Sequence, residues 1–337
     1  MTLPTVHWVP LLPPDRDDPP HEAMLVNGVS FCPELDAVLV ARWRLVRKVL
    51  ANEREFASSG DRPRAVLARA FGPDRVGARA QRLRRFADVL VDRLRPVGRA
   101  DLEAGFAAPF VTRALNDVIG FPAADDDLVA TFRHPTEVDG GMDTDRAHRY
   151  VSRLAAGHRF TGPDLIGDLV DGGLATAEIA RLTLAGLASA EQATRDLVLF
   201  AVRDMLATGR HHVEESLRRW SPHGMVLRRT TTAVTVSGCR LPAGTRVGLV
   251  LAAANLDPAV FPRPREFDPA RPWLERHLAF GHGVHRCRGA VLARTAAGIA
   301  IEALSRLPNP RLADPGRSRR KAHPFLNGPD RVDIAWG

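Results

Sequence analysis

Apolar residues recur at helical spacing over most of this chain, and late in the chain short alternating runs replace that pattern. Residues 1–25, rich in proline and acid, predict an irregular N-terminal lead. The apolar run Ala37 to Val40 predicts a strand, and the pattern from Trp43 to Leu50 predicts a helix. Residues 64–96 predict helix broken at Gly72-Pro73, since proline is tolerated at a helix start and not inside one. Residues 101–120 keep the helical period, and 122–175 predict shorter helices joined by Gly, Asp and Pro, including Asp139-Gly140-Gly141. The longest candidate runs from Thr176, a capping residue, to Ala207, with Gly209 as its stop. Its Ile179, Leu182, Leu187, Leu197, Phe200 and Val202, with few charges midway, predict a helix buried through the core.

Beyond that helix the period becomes two. Val234-Thr235-Val236, a Ser237-Gly238 turn, Cys239-Arg240-Leu241, a Pro242-Ala243-Gly244 turn and Val247 to Leu251 predict hairpin strands. Residues 255–279 hold many prolines and no period, and Arg288 to Ser305 predicts a final helix. The whole pattern is mainly α with a minor β-sheet region, in a single domain over residues 1–337.

Composition narrows the function classes. With 45% hydrophobic and 26% charged residues the chain predicts a soluble globular protein. No stretch reaches the ~18 apolar residues of a membrane span. The start lacks a basic segment followed by an apolar run, so no secretory signal and no membrane association are expected, and the expected location is cytoplasmic. The net charge of +8 is almost all arginine, Lys48 and Lys321 being the only lysines. The arginines are scattered among acids, as in Asp92-Arg93 and Arg265-Glu266, and do not form the dense stripe that nucleic-acid binding needs. The three cysteines, Cys32, Cys239 and Cys287, argue against a disulfide framework and leave room for one functional thiolate.

The sharpest local signal is Phe280-Gly281-His282-Gly283-Val284-His285-Arg286-Cys287-Arg288-Gly289. Two glycines at alternate positions permit a tight loop with unusual backbone angles. Cys287 then sits at the mouth of a helix, where free N–H groups and the positive end of the dipole stabilise a thiolate. Gly289 lets a flat ligand approach the backbone, and Phe280 can cover the sulfur. On this chemistry alone three readings stand: a thiolate ligand to heme iron, a zinc site with His277, His282 and His285, or a small core thiol without metal. The Cys-x-x-Cys pair of a finger-type zinc site is absent.

Followed by Leu292-Ala293-Arg294, this string resembles the heme-binding loop of the cytochrome P-450 family, Phe-Gly-x-Gly-x-His-x-Cys-x-Gly, at every fixed position. The resemblance implies the P-450 fold and heme b, with Cys287 as the metal ligand and Phe280, Gly281 and Gly289 forming its loop. A thiolate ligand pushes electron density onto iron and favours O–O cleavage. Glu215-Ser216-Leu217-Arg218 resembles the family's Glu-x-x-Arg, and Phe267 to Arg271 resembles the segment that supplies a second arginine. Glu215, Arg218 and Arg271 are thereby implied to form a cluster anchoring the cysteine loop. Ala254-Asn255-Leu256-Asp257-Pro258 is also similar to the family. For the heme propionates the resemblance offers His285, Arg228 (or its neighbour Arg229) and Arg64, which precedes Ala68-Arg69-Ala70-Phe71.

The chain also departs from the family. The long helix should carry Ala/Gly-Gly-x-Asp/Glu-Thr, whose acid and alcohol relay protons, and no such string occurs. Aligning Ser189 to Ala193 with it puts Gln192 in the acid's place and Ala193 in the threonine's. Aligning Ala185 to Ser189 puts Ala188 in the acid's place. A third register makes Glu191 the acid and Gln192 the alcohol's replacement. Glu191, Gln192 and Thr194 are the candidate distal polar groups. The lid and pocket loops are short: Phe56 to Gly60 runs almost directly into Arg64, residues 129–164 are lean, and little chain separates Gly209 from Glu215. The resemblance implies a monooxygenase-like oxidoreductase of bacterial secondary metabolism, acting on a bulky small-molecule, peptide or carrier-bound substrate with electrons from a ferredoxin-type donor. The altered helix also admits a peroxide-driven or non-redox reaction. The competing expectation is a non-catalytic P-450-like scaffold that activates a partner enzyme.

Overall fold

The computed structural model describes residues 3–6, 22–58, 64–131, 144–157, 163–314, 325–329 and 331–337. In chain order its first elements are α1 (Glu22–Asn27), β1 (Val29–Cys32), β2 (Ala37–Val40), α2 (Trp43–Ala51), β3 (Phe56–Ala57), α3 (Arg64–Ala70) and α4 (Pro73–Leu94). There follow β4 (Arg99–Asp101), α5 (Ala108–Ile119), α6 (Asp126–Thr131), α7 (Thr144–Ala156), α8 (Leu165–Asp171), α9 (Thr176–Thr208) and α10 (Val213–Trp220). The last are β5 (Met225–Thr230), β6 (Val234–Val236), β7 (Cys239–Leu241), β8 (Arg246–Val250), α11 (Leu251–Ala254), α12 (Ala290–Leu304), β9 (Arg311–Leu312) and β10 (Asp333–Ala335). They fall into two compact units, one of residues 1–61, 196–287 and 309–337, the other of residues 62–195 and 288–308.

The first unit is built on a five-stranded sheet of order β1-β2-β8-β5-β3. β2 runs parallel to β8 and antiparallel to β1, and it is buried at all four positions because both its faces are covered. Val38 and Val40 pack with Val46, Val49 and Leu50 of α2, whereas Ala37 and Leu39 pack with Met24 of α1. A strand sandwiched in this way loses the polar alternation of a half-exposed one. β6 and β7 form the expected hairpin, paired Val234 to Leu241 and Val236 to Cys239. Leu251, expected to end the last strand, instead opens α11. The irregular lead needs correction: Glu22–Asn27 is helical, and Thr5 bridges Phe31 beside β1.

In the second unit α12 packs along α4, whose Pro73 stands in the first turn after Gly72, as expected. A π-helical turn, Glu103–Ala107, leads into α5. α5 ends at Gly120, whose φ of +101° is left-handed, and a Cβ there would lie 2.5 Å from the carboxyl carbon of Asp164. That carboxylate caps α8, accepting the Gly167 N–H at 2.8 Å. α9 begins one residue earlier than a Thr176 cap implies, since the Ala175 carbonyl already accepts from Glu178 and Ile179. It is assigned to the second unit up to Arg195 and to the first from Asp196. The Asp139-Gly140-Gly141 loop lies outside the described residues. Among the described residues no helix is long and apolar enough to cross a membrane.

Gly120→Ala forces a left-handed alanine against the α8 cap. It is expected to cost upwards of ~1 kcal/mol, read as a lower urea midpoint with an unchanged slope.

Candidate functional site

The loop before α12 is closed on itself. The Cys287 N–H donates to the Phe280 carbonyl at 2.8 Å, Gly281 N–H to Leu278 at 2.8 Å and Arg286 N–H to Gly283 at 3.1 Å. Gly281 and Gly283 have φ of +70° and +74°. At Gly283 a Cβ would also come within 3.0 Å of the Leu50 carbonyl at the end of α2, so glycine is required there twice over. Cys287 is solvent-exposed, two residues before Gly289, the N-cap of α12. A thiol there lies near the free N–H groups of the helix start. Phe280 is half-buried, its ring 6.0 Å from that of His277.

What holds the loop begins on α10. Glu215 and Arg218 are fully buried. Arg218 donates to both oxygens of Glu215 at 2.7 and 2.8 Å, and Arg271 donates to Oε1 at 3.3 Å. The Asp268 N–H donates to that same oxygen at 3.1 Å. The rest of the two guanidinium forks points at backbone: Arg218 to the carbonyls of Asn255 and Pro264, Arg271 to those of Pro262, Arg263 and Glu266. Burial lowers the Arg218 pKa from its ordinary value, and the Glu215 carboxylate opposes that shift. The three residues named from the sequence are therefore one cluster, and it satisfies carbonyls of a segment that has no helix or strand to satisfy them.

Three further residues, to which the sequence reading gave no such role, pass this order to the loop. The Asn255 side chain accepts the Leu278 N–H at 2.6 Å and donates to Ser221 at 2.8 Å. His277 accepts the Ala279 N–H on Nδ1 at 3.2 Å and faces Glu214 through Nε2 at 2.9 Å. Asn255 stood in a family-like string without a role, and Glu214 stood unremarked beside Glu215. With both nitrogens of His277 engaged, the zinc reading loses its first ligand. Among the described residues no group of three or more His, Cys, Asp or Glu side chains is arranged to hold a metal ion.

The family model described as Cytochrome P450 matches residues 202–306. The chain is 33% identical over 308 residues to the cytochrome P450 monooxygenase PikC of Streptomyces venezuelae, covering 82% of this chain and 73% of that protein. It is 30% identical over 306 residues to the mycinamicin IV hydroxylase/epoxidase of Micromonospora griseorubida, covering 82% and 77%. Its fold matches that of cytochrome P450 CYP109Q5 from Chondromyces apiculatus with a TM-score of 0.84 and 25% identity, over 93% and 94% of the two chains. The chain belongs to the cytochrome P450 family.

A P450 is a heme enzyme, and the residues present suit that group. Arg228 of β5, opposite Val247 of β8, is half-buried, and burial is what lowers its pKa. It donates to the Leu227 carbonyl at 2.8 Å and has no carboxylate partner among the described residues, so the guanidinium charge suits an anion such as a propionate. Arg229 is exposed and donates to the Gly244 carbonyl at 2.6 Å, which decides between the two neighbours by strand alternation. His285 Nε2 stands 3.6 Å from Glu53 Oε2. Arg64 is the first residue of α3, and its side chain lies outside the described residues.

The middle of α9 carries the candidate distal polar groups. Glu191 is buried, and its carboxylate accepts from Thr112 of α5 at 3.0 Å and pairs with Arg195 at 3.7 Å. Arg195 also reaches Glu103 at 3.5 Å. Thr194 donates its hydroxyl back to the Ala190 carbonyl at 2.7 Å. Gln192 and Ala193 are half-buried on α9, and the side chains of Ala188 and Ser189 lie outside the described residues. Thr112 carried no sequence signal, because nothing local announces a helix-to-helix partner.

Glu215→Gln removes the charge that two buried guanidiniums share. It is expected to cost about 3–5 kcal/mol in urea unfolding and to weaken heme retention. Arg228→Ala is expected to speed heme release to apomyoglobin while Arg229→Ala leaves it unchanged; equal effects would show that the strand's inward face does not hold the propionate.

Proposed function

We propose that this P450 is a heme-thiolate monooxygenase that oxidises a bulky substrate of bacterial specialised metabolism. The observation that carries the reading is the Cys287 loop, closed by its own backbone and seated through Asn255 on the Glu215–Arg218–Arg271 cluster. In this reading Cys287 ligates the iron of heme b from within a loop that includes Phe280, Gly281 and Gly289, and Arg64, Arg228 and His285 hold the propionates. When bound, the heme supplies the oxygen chemistry that protein side chains lack. The protein's part is to keep the sulfur ionised and to orient the ring. The relative named for hydroxylation and epoxidation of mycinamicin IV supports a large small-molecule substrate; peptide and carrier-bound substrates belong to the same proposal. Electrons come from a ferredoxin-type partner in the cytoplasm, and the exposed Arg286 and Arg288 beside Cys287 suit an acidic one. Residues 1–337 act as one domain.

One observation favours a second reading. Glu191 is committed to Thr112 and Arg195, Gln192 is an amide, and an amide does not relay protons as an acid does. This suits a peroxide-driven or non-redox reaction, or a scaffold that activates a neighbouring enzyme.

The reduced protein with carbon monoxide is expected to show the long-wavelength Soret band of thiolate ligation, and Cys287→Ala to lose it. A colourless protein, or a band indifferent to that substitution, removes the heme-thiolate reading. Turnover is then compared with a ferredoxin system, with peroxide and with neither. Product in none of the three, together with dependence of a neighbouring enzyme on this protein, selects the scaffold.

A further inference from the structure

α9 and α10 are joined by only the four residues Gly209 to His212. Across that short link, three side chains of α10 converge on one carboxylate of α9. Asp204 accepts from the Ser216 hydroxyl at 2.6 Å and from Arg219 at 2.9 Å, and both of its oxygens lie 3.0 Å from the Trp220 indole N–H. The Phe200 ring stacks on Trp220 at 4.7 Å, nearly parallel to it. Arg203 and Arg219 place their guanidiniums 5.2 and 4.5 Å from the same indole ring. Arg219 also donates to the Arg265 carbonyl at 3.1 Å, which ties the node to the proline-rich segment. Asp204 is 1% exposed. Burial alone drives its carboxyl pKa up, and Arg219, Ser216, Trp220 and Arg203 oppose that drive.

Ser216, Arg219 and Trp220 share one face of α10 at i, i+3 and i+4, and Glu215 and Arg218 share the neighbouring face. A helix of eight residues has little stability of its own, so its rotation is set by what grips it. One face is gripped by Asp204; the other holds the segment that leads to the cysteine loop. A rotation of α10 that loosened the first grip would carry Arg218 out of register with the Asn255 and Pro264 carbonyls, and Glu215 out of register with Arg271. Beside the node lies a cleft of about 450 Å³, lined in part by Arg203, Thr208, Arg219 and Phe267.

We propose that Asp204 is a positioning residue for the heme thiolate, whose bonds to Ser216, Arg219 and Trp220 set α10 and thereby the seat of the Cys287 loop. The proposal rests on the heme reading given above, and its test separates the two. The wild-type protein, Asp204→Ala, Asp204→Asn, Trp220→Phe and Gly120→Ala are compared as holoproteins by three readouts: the carbon monoxide spectrum, heme transfer to apomyoglobin, and melting temperature. Asp204→Ala is expected to release heme roughly tenfold faster and to convert part of the thiolate band to a shorter-wavelength form. Asp204→Asn, which keeps an acceptor oxygen for Trp220, is expected to fall between it and the wild type. Trp220→Phe, which keeps an aromatic ring in place of the indole and loses the N–H, is expected to move in the same direction. Gly120→Ala, which lowers the melting temperature from the other unit, is expected to keep both band and release rate.

The positioning role is overturned if the Asp204 variants stay within about twofold of the wild-type release rate with the band intact. It is also overturned if Gly120→Ala shifts the band as much at a matched melting temperature. If Asp204→Ala does not accumulate as folded protein, Asp204→Asn and Trp220→Phe decide by the same criteria. A wild-type protein without the thiolate band overturns the heme reading itself, and this inference with it.

Discussion

The structure depends on a single buried carboxylate. Glu215 is closed off from water and holds the forks of Arg218 and Arg271, and those forks spend their remaining donors on the carbonyls of Asn255, Pro262, Arg263, Pro264 and Glu266. Prolines keep this stretch from forming a helix or strand, so its backbone oxygens need donors from elsewhere. Guanidinium suits the task because it is planar, always charged and carries five donors in a fixed fork; an ammonium offers three on a mobile stem. Without Glu215, two cations would face each other in the interior. The irregular segment is therefore ordered by charge, not by repetition, and the loop that presents Cys287 inherits that order through the Asn255 side chain.

The loop needs little more than that seat. Two left-handed glycines turn the chain, one of them against the end of α2, and the Cys287 N–H closes the turn on Phe280. The sulfur is thereby delivered two residues before Gly289, the N-cap of α12. A cysteine there and a half-buried arginine on β5 suit an anionic, iron-bearing ring. The same sheet that aims Arg228 inward aims Arg229 outward, a consequence of strand alternation rather than of any difference between the two side chains.

The long helix shows how polar groups can be redirected. Its midpoint carries a buried Glu191 that answers to Thr112 and Arg195, and its last turns carry a buried Asp204 that answers to α10. Both acids serve helix packing. The Glu191 carboxylate is held by fixed donors, Thr112 and Arg195, which is the physical reason the departure from the family pattern bears on chemistry as well as on shape.

The local rules legible in the residues carried far. The hairpin of β6 and β7, the break before α4, the stop after α9 and the glycine-bracketed cysteine all follow from turn chemistry, capping and period, which act between near neighbours. The Glu215–Arg218–Arg271 cluster was legible only because its members sit in strings shared with a family. What the residues could not show is partnership over distance. α1 lacks a strong period and is held by packing under β2. The choice of Arg228 over Arg229 needs the register of β5 on β8. Glu191, a candidate distal group, has its carboxylate on Thr112, 79 positions away, a partner that no local pattern announces. Asp204 carries no local signal of its role, and only the fold brings Ser216, Arg219 and Trp220 around it. Turns and caps are settled within a few residues, whereas the fate of a buried charge is settled by whichever donors the folded chain brings to it.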